Sequence, residues 1–182
     1  MLEITVQGTE FWNEVTEEFV TIEPCTLILE HSLISLAKWE SKWEKPFLNS
    51  EKTVEETQDY IRCMTTNRHV DPKAYLALTN ADVAKVNDYI EKSMTATTIN
   101  ERRQEGQGRR KPEVMTAEII YYYMIALGIP FECEKWHLNR LLTLIRVCNI
   151  KNAPKQKMSK SAAAKQQRAL NAQRRARSGS RG

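Results

Sequence analysis

The sequence predicts an α+β fold that is mainly helical, with a small N-terminal antiparallel β-meander packed on a helical bundle and a basic C-terminal helical tail. Three observations predict it. Short stretches of alternating polarity are confined to residues 1–30, apolar residues at helical spacing recur through most of 32–149, and residues 151–182 hold ten Lys and Arg with no Asp or Glu. The 182 residues suffice for one ordinary domain with appendages, and a hydrophobic content of 41% is enough to build its core.

The β-meander is expected from four short pieces, 2–6, 10–13, 18–22 and 26–30, with Gly8 marking a turn and Pro24 limiting a connection. Phe11, Trp12 and Phe19 would supply cross-strand contacts, and so small a sheet needs a helix to cover one face. That helix is predicted over 32–44, where Ser32 caps, Pro46 stops, and Leu33, Leu36, Trp39 and Trp43 recur at helical spacing. Together these elements make up residues 1–48.

A helical segment follows over 49–94. Thr53-Val54-Glu55-Glu56 is a capping box that opens a helix ending near Thr65. Asp71-Pro72 opens a short helix through Leu78. Thr79 starts another, with Val83, Val86, Ile90 and Met94 on one side. Residues 95–112 hold five basic side chains and two glycines with little apolar content, as expected of a mobile connection.

Residues 113–150 predict the core of the molecule, a helical hairpin broken at Gly128-Ile129-Pro130. Its first helix is apolar almost all round, through Ile119, Ile120, Tyr121, Tyr122, Tyr123, Met124, Ile125 and Leu127, so other protein must wrap it. Thr116 is expected to cap it and Gly128 to end it in the left-handed conformation. The second helix places Trp136, Leu141, Leu142, Leu144, Ile145 and Cys148 on one broad side. The tail, 151–182, can form a helix from a Ser159 cap to about Arg177, with Leu170 its one large apolar side chain. Such a helix gains little from burial and is expected to order on an acidic or helical partner.

Charge divides the chain more sharply than its net +4 suggests, because residues 1–150 hold 17 of the 27 basic residues and all 23 acidic ones. An acidic body thus carries a basic tail. The four cysteines form no CxxC pair and read as reduced thiols, the N-terminus has no signal-peptide pattern, and no apolar run reaches the length of about 20 residues that spans a bilayer. A cytosolic protein without a membrane segment is expected.

Motifs of catalysis are missing: there is no P-loop, GxGxxG, HExxH, GxSxG or EF-hand pattern. Cys133 and His137, four apart, with Cys148 make only a partial metal set without a fourth ligand, so no metal or other cofactor is expected. His31 and His69, at element ends, suit turn or cap roles. An enzyme is therefore not expected.

Two runs carry a resemblance: LEHSLISLAKWESKWEKPFL at 29–48 and MTAEIIYYYMIALGIPFECEKWHLNRLLTLIRVCNIKNAPKQKMSK at 115–160. They resemble the tail assembly chaperones encoded in the tail-gene module of long-tailed bacteriophages. The resemblance implies a non-catalytic protein of the host bacterial cytoplasm, absent from the mature virion, that coats the tape-measure protein and helps recruit tail-tube subunits. It also implies that an extended product can arise by ribosomal frameshifting. Trp39, Trp43, Trp136, Tyr121, Tyr122 and Tyr123 are the candidate partner contacts, each with packing inside the core as its alternative. Trp39 and Trp43 also suit subunit contacts, as a homo-oligomer would need.

Two other readings compete. One is a structural tail or connector component retained in the virion. The other is a nucleic-acid-binding accessory protein whose Lys160, Lys165, Arg168, Arg174, Arg175 and Arg177 would meet phosphates without reading sequence. The tail has no aromatic residue for base stacking, which makes nucleic acid the less favoured partner.

Overall fold

Four strands open the chain, Leu2–Val6 (β1), Thr9–Asn13 (β2), Glu18–Ile22 (β3) and Cys25–Leu29 (β4), and they pair as two nested antiparallel ladders, β1 with β4 and β2 with β3. The antiparallel sheet is where the sequence places it, but β1 does not pair with β2, nor β3 with β4, as they would in a meander. The residue numbers of every pair sum to 31 in both ladders, so the strands form one long two-stranded ribbon in a single register. Its interruption at Gly8 and Pro24 has a direct cause. Proline has no N–H to give to a ladder, and a Cβ on Gly8 would lie 3.0 Å from Pro24 Cδ.

Across that interruption the side of the ribbon facing the core changes. In β1 and β4 the inward residues are Ile4, Val6, Leu27 and Leu29, all buried, whereas in β3 they are Ile22 and the half-buried Val20, of opposite parity. A two-stranded ribbon that loses its ladder for two rungs can twist sharply there. The consequence is that Trp12 and Phe19, directly opposite each other, end on the outside.

The structure is a computed structural model, and it describes residues 1–13, 17–99, 114–153 and 160–178. Met1–Ile150 form one compact unit and Lys151–Gly182 a second. In the first unit the helices are Leu33–Trp43 (α1), Val54–Met64 (α2), Asn80–Glu91 (α3), Ala117–Ala126 (α4) and all but the last two residues of Leu138–Asn152 (α5), with 3-10 turns at Phe47–Asn49, Pro72–Ala77 and Phe131–Lys135. In the second unit Lys160–Ser178 form α6, whose predicted cap Ser159 lies outside the described residues. Most of the expected connection over 95–112 lies outside them as well.

The start signals of three helices act as the sequence predicts. Ser32, Thr53 and Thr79 each accept the N–H of the third helical residue and receive a reciprocal side-chain bond, closing capping boxes. Asp71 caps the 3-10 turn that begins at Pro72. α1 ends where Glu44 takes the left-handed conformation.

The core is centred on α1 and not on α4, as the apolar circumference of the latter suggested. Leu33, Leu36 and Trp39 of α1 have no exposed surface, and α1 packs against α2, α4 and two of the 3-10 turns. Behind β4, the segment Met64 to Asn67 pairs in β fashion: Glu30 N–H donates to Met64 O at 2.9 Å, Thr66 N–H to Ile28 O at 2.9 Å, and Ile28 N–H to Asn67 Oδ1 at 2.6 Å. The ribbon is thereby tied to the end of α2.

The hairpin of 113–150 departs from expectation in two places. Gly128 ends α4 at φ +63°, as predicted, but Thr116 makes no side-chain cap bond, and the Ala117 N–H donates to Glu40 of α1. The second helix begins at Leu138 and not beside Pro130. His137 pairs with Ser32 in an isolated β-bridge and the Leu138 N–H donates to His31 O at 2.7 Å, which holds Trp136 extended and divides the predicted helix into a 3-10 turn and α5.

Candidate docking surface

The outer side of α4 leaves large apolar side chains uncovered. Ala117, Ile120 and Met124 face inward and are buried, while Tyr122 and Ile125 are 65% and 66% exposed. Phe131, in the turn after Pro130, is 54% exposed and its ring lies 6.3 Å from that of Tyr121, while Tyr122 lies 5.7 Å from Tyr123. The half-buried Tyr121 and Tyr123 flank the row. Tyr121 also donates its hydroxyl to Glu134 Oε2 at 2.9 Å, and burial first, then that carboxylate, push its phenol up to about 12. It stays a neutral hydrogen-bond donor at physiological pH.

The six aromatic residues nominated by the sequence therefore separate. Tyr121, Tyr122 and Tyr123 stand together on α4. Trp39 is fully buried, and its Nε1–H donates to Glu56 O at 2.9 Å, so in this fold it belongs to the core. Trp43 is half-buried, with Nε1–H donating to Asp59 Oδ2 at 2.9 Å. Trp136 is also half-buried. The Arg140 guanidinium lies 4.1 Å from its ring centre, and the two line a shallow groove of about 320 Å³ with Thr95, Thr97, Thr143, Leu144 and Val147. Phe131 and Ile125 were not nominated as contacts. Their signal was present in Phe131 directly following the Gly-Ile-Pro break, where a chain turning at the surface exposes what it carries.

Around Trp43 the polar groups are closed on one another. Lys42 pairs with Asp59 at 2.6 Å and Lys45 with the buried Glu56. Burial pushes the Asp59 carboxyl up, but hydrogen bonds from Lys42 and Trp43 outweigh it and hold the group below the usual range. The Lys45 hydrogen bond does the same for Glu56, aided by the Thr53 N–H. These carboxylates brace α1 against α2.

A buried histidine pair sits where β4, α1, α3 and α5 meet. The His31 and His137 ring centres are 5.1 Å apart. His31 Nδ1 shares a 2.5 Å hydrogen bond with Tyr60 Oη, so His31 serves the core and not a turn, while His69 sits in a left-handed turn at φ +60°. His137 Nε2–H donates to Tyr89 O at 3.0 Å and its Nδ1 accepts the Asn139 N–H at 3.3 Å, so both ring nitrogens are occupied by protein. Among the described residues no group of three or more His, Cys, Asp or Glu is placed to hold a metal ion, and no helix is long and apolar enough to cross a membrane.

The candidate tail residues lie on α6. Lys165, Arg168, Arg174, Arg175 and Arg177 are exposed, and Lys160 is the first residue of the helix. Helical spacing sets Arg174 and Arg177 on one side with Leu170, and Lys165, Arg168 and Arg175 on the other. No family model, no curated protein and no solved structure matches the chain.

Proposed function

We propose that this protein is a non-catalytic assembly chaperone of a long-tailed bacteriophage, covering apolar helical stripes of the tape-measure protein before the tail forms and helping to bring tail-tube subunits to it. The observation that carries the reading is the exposure of Tyr122 and Ile125 on α4 together with that of Phe131, whose ring lies beside Tyr121 of the same helix. A helix with apolar side chains at i, i+3 or i+4 and i+7 can lay that stripe on such a row and remove both surfaces from water. Burial of each large side chain contributes roughly 1.5–3 kcal/mol before the costs of association are met.

The class of partner comes from the resemblance of residues 29–48 and 115–160. It is supported by proximity, because those runs supply α1 and α4, which pack on each other in one compact unit. The proposed place of action is the host bacterial cytoplasm.

Co-expression with the tape-measure protein of the same tail-gene cluster tests this reading. Capture on a tagged copy is expected from the native chain and is expected to fall at least tenfold, or about 1.4 kcal/mol, for a Tyr122→Asp, Ile125→Asp variant. Equal capture by both would remove α4 from the mechanism. Mass spectrometry of purified particles addresses the competing virion-component reading, since a chaperone is absent and a subunit is present in multiple copies.

A second reading, phosphate binding through α6, is favoured by the acid-free composition of residues 151–182. Binding of that kind weakens steeply as salt rises, whereas capture on the α4 row changes little.

A further inference from the structure

Among the described residues, the distal half of the ribbon leaves one sheet face exposed. Trp12 and Phe19 are a direct cross-strand pair on that face, with rings edge to face at 5.0 Å, and they remain 50% and 67% exposed. On the next rung of the same face Thr21 Oγ1–H donates to Glu10 Oε1 at 3.3 Å. Glu17, Glu18 and Glu23 are exposed nearby in the same hairpin, and the first 37 residues contain seven Glu and no Lys or Arg.

An aromatic pair in such surroundings selects its occupant. An acidic partner or a nucleic acid is repelled, and a neutral apolar helix would desolvate carboxylates while giving them no counter-charge. A helix that carries arginines beside one large apolar side chain satisfies both needs. Guanidinium groups stack on indole and pair with carboxylates, and the apolar side chain covers the rings.

That chemistry is present elsewhere in the same sequence. On α6, Leu170, Arg174 and Arg177 follow i, i+4 and i+7 on one side, and Leu170 is 42% exposed. We propose that the Trp12–Phe19 face of one copy of the chain receives the Leu170–Arg174–Arg177 side of α6 from a second copy. Such a contact joins two different surfaces, so it builds rings or open chains of subunits and not a two-fold dimer. It is independent of the α4 row and of the identity of any other partner.

Sedimentation velocity of the full chain over a concentration series is the test. Mass is expected to rise with concentration at about 50 mM salt and to return to the monomer at about 500 mM, because the joining charges are exposed. A ribbon variant, Trp12→Ala with Glu10→Lys, and a tail variant, Arg174→Glu with Arg177→Glu, alter exposed positions, and circular dichroism checks that each remains folded. Each alone is expected to associate at least about tenfold more weakly. Mixed in equal amounts they are expected to pair, since the ribbon variant retains an intact tail and the tail variant an intact ribbon. A chain that stays monomeric at low salt overturns the proposal. So does association indifferent to salt or to either variant, a mixture that fails to pair, or association abolished by Tyr122→Asp instead.

Discussion

Glu40 of α1 caps α4: its Oε2 accepts the Ala117 N–H at 2.7 Å across 77 residues of chain, and its Oε1 accepts the Phe47 N–H at 2.7 Å. A buried carboxylate thus satisfies the first orphan donor of α4 and meets the positive end of that helix. Glu40→Ala leaves two buried N–H groups unpaired and is expected to cost about 2–4 kcal/mol, read as a fall in the urea midpoint. Thr116→Ala, at the position where the sequence puts the cap, is expected to change stability by less than about 0.5 kcal/mol. Equal effects from the two substitutions would return the cap to Thr116.

The histidine pair makes stability depend on pH. Burial, and then the neighbouring His137, lower His31 from 6.5 to about 3, and burial also lowers His137 despite the Tyr89 carbonyl and Glu30, which favour its charged form. The Met1 ammonium, paired with Glu30, opposes them. A histidine whose folded pKa is depressed binds its proton more readily in the unfolded chain. The stabilising contribution is therefore complete above about pH 6.5 and is lost as pH falls below it, at up to about 1.4 kcal/mol per unit for each histidine. Urea unfolding between pH 7.5 and pH 5 is expected to show this loss, and His137→Gln is expected to make the slope shallower. Stability that rose on acidification would show that the pair is charged in the folded chain.

Two glycines are expected to respond differently to alanine. Gly128 has φ +63° and no atom within 4 Å of an added Cβ, so Gly128→Ala meets backbone strain alone, about 1 kcal/mol, and Gly128→Asn recovers part of it. At Gly8 the added Cβ meets Pro24 Cδ at 3.0 Å and Ile22 O at 3.3 Å, so the strands must move apart there. Gly8→Ala is expected to cost about 1–3 kcal/mol and to increase trypsin-independent proteolysis of the acidic ribbon, for example by a Glu-specific protease. A Gly8→Ala chain as stable as the native one would mean that the interruption tolerates a wider spacing.

Local signals carried most of the fold. Strand alternation, three Ser or Thr caps, Asp71-Pro72 and the Gly128 stop each act within a few residues, and the elements they mark are present within a residue or two, except that the helix opened by Thr79 ends at Glu91, short of Met94, which takes φ +49°. What the sequence did not reveal depends on partners distant in the chain. The nested pairing of β1 with β4, the capping of α4 by Glu40 and the division at Trp136 by pairing with His31 and Ser32 all join segments whose meeting no local pattern encodes. The candidate surface was legible in kind but not in membership. Helical spacing put Trp39 and Trp43 together with the tyrosines as apolar residues, and only packing separates Trp39 in the core from Tyr122 in water.

That separation gives the aromatic residues opposite expected phenotypes. Trp39 is fully buried, makes ring contacts with Phe47 at 5.1 Å and donates to Glu56 O, so Trp39→Ala removes core volume and a hydrogen bond together and is expected to cost about 3–5 kcal/mol. Tyr122 and Ile125 protrude into solvent, and replacing both with Asp is expected to change the unfolding free energy by less than about 1 kcal/mol while lowering partner capture. Trp136 lies between these cases. Its half-buried ring and the stacked Arg140 predict a loss of about 1–2 kcal/mol for Trp136→Ala, and Arg140→Ala is expected to account for less than half of it. Thermal melts and co-expression capture, measured on the same preparations, separate the two roles. A Trp39 variant that remained stable but lost capture would place that indole at a partner interface, and a strongly destabilised Tyr122, Ile125 variant would mean that the α4 row is already covered by protein.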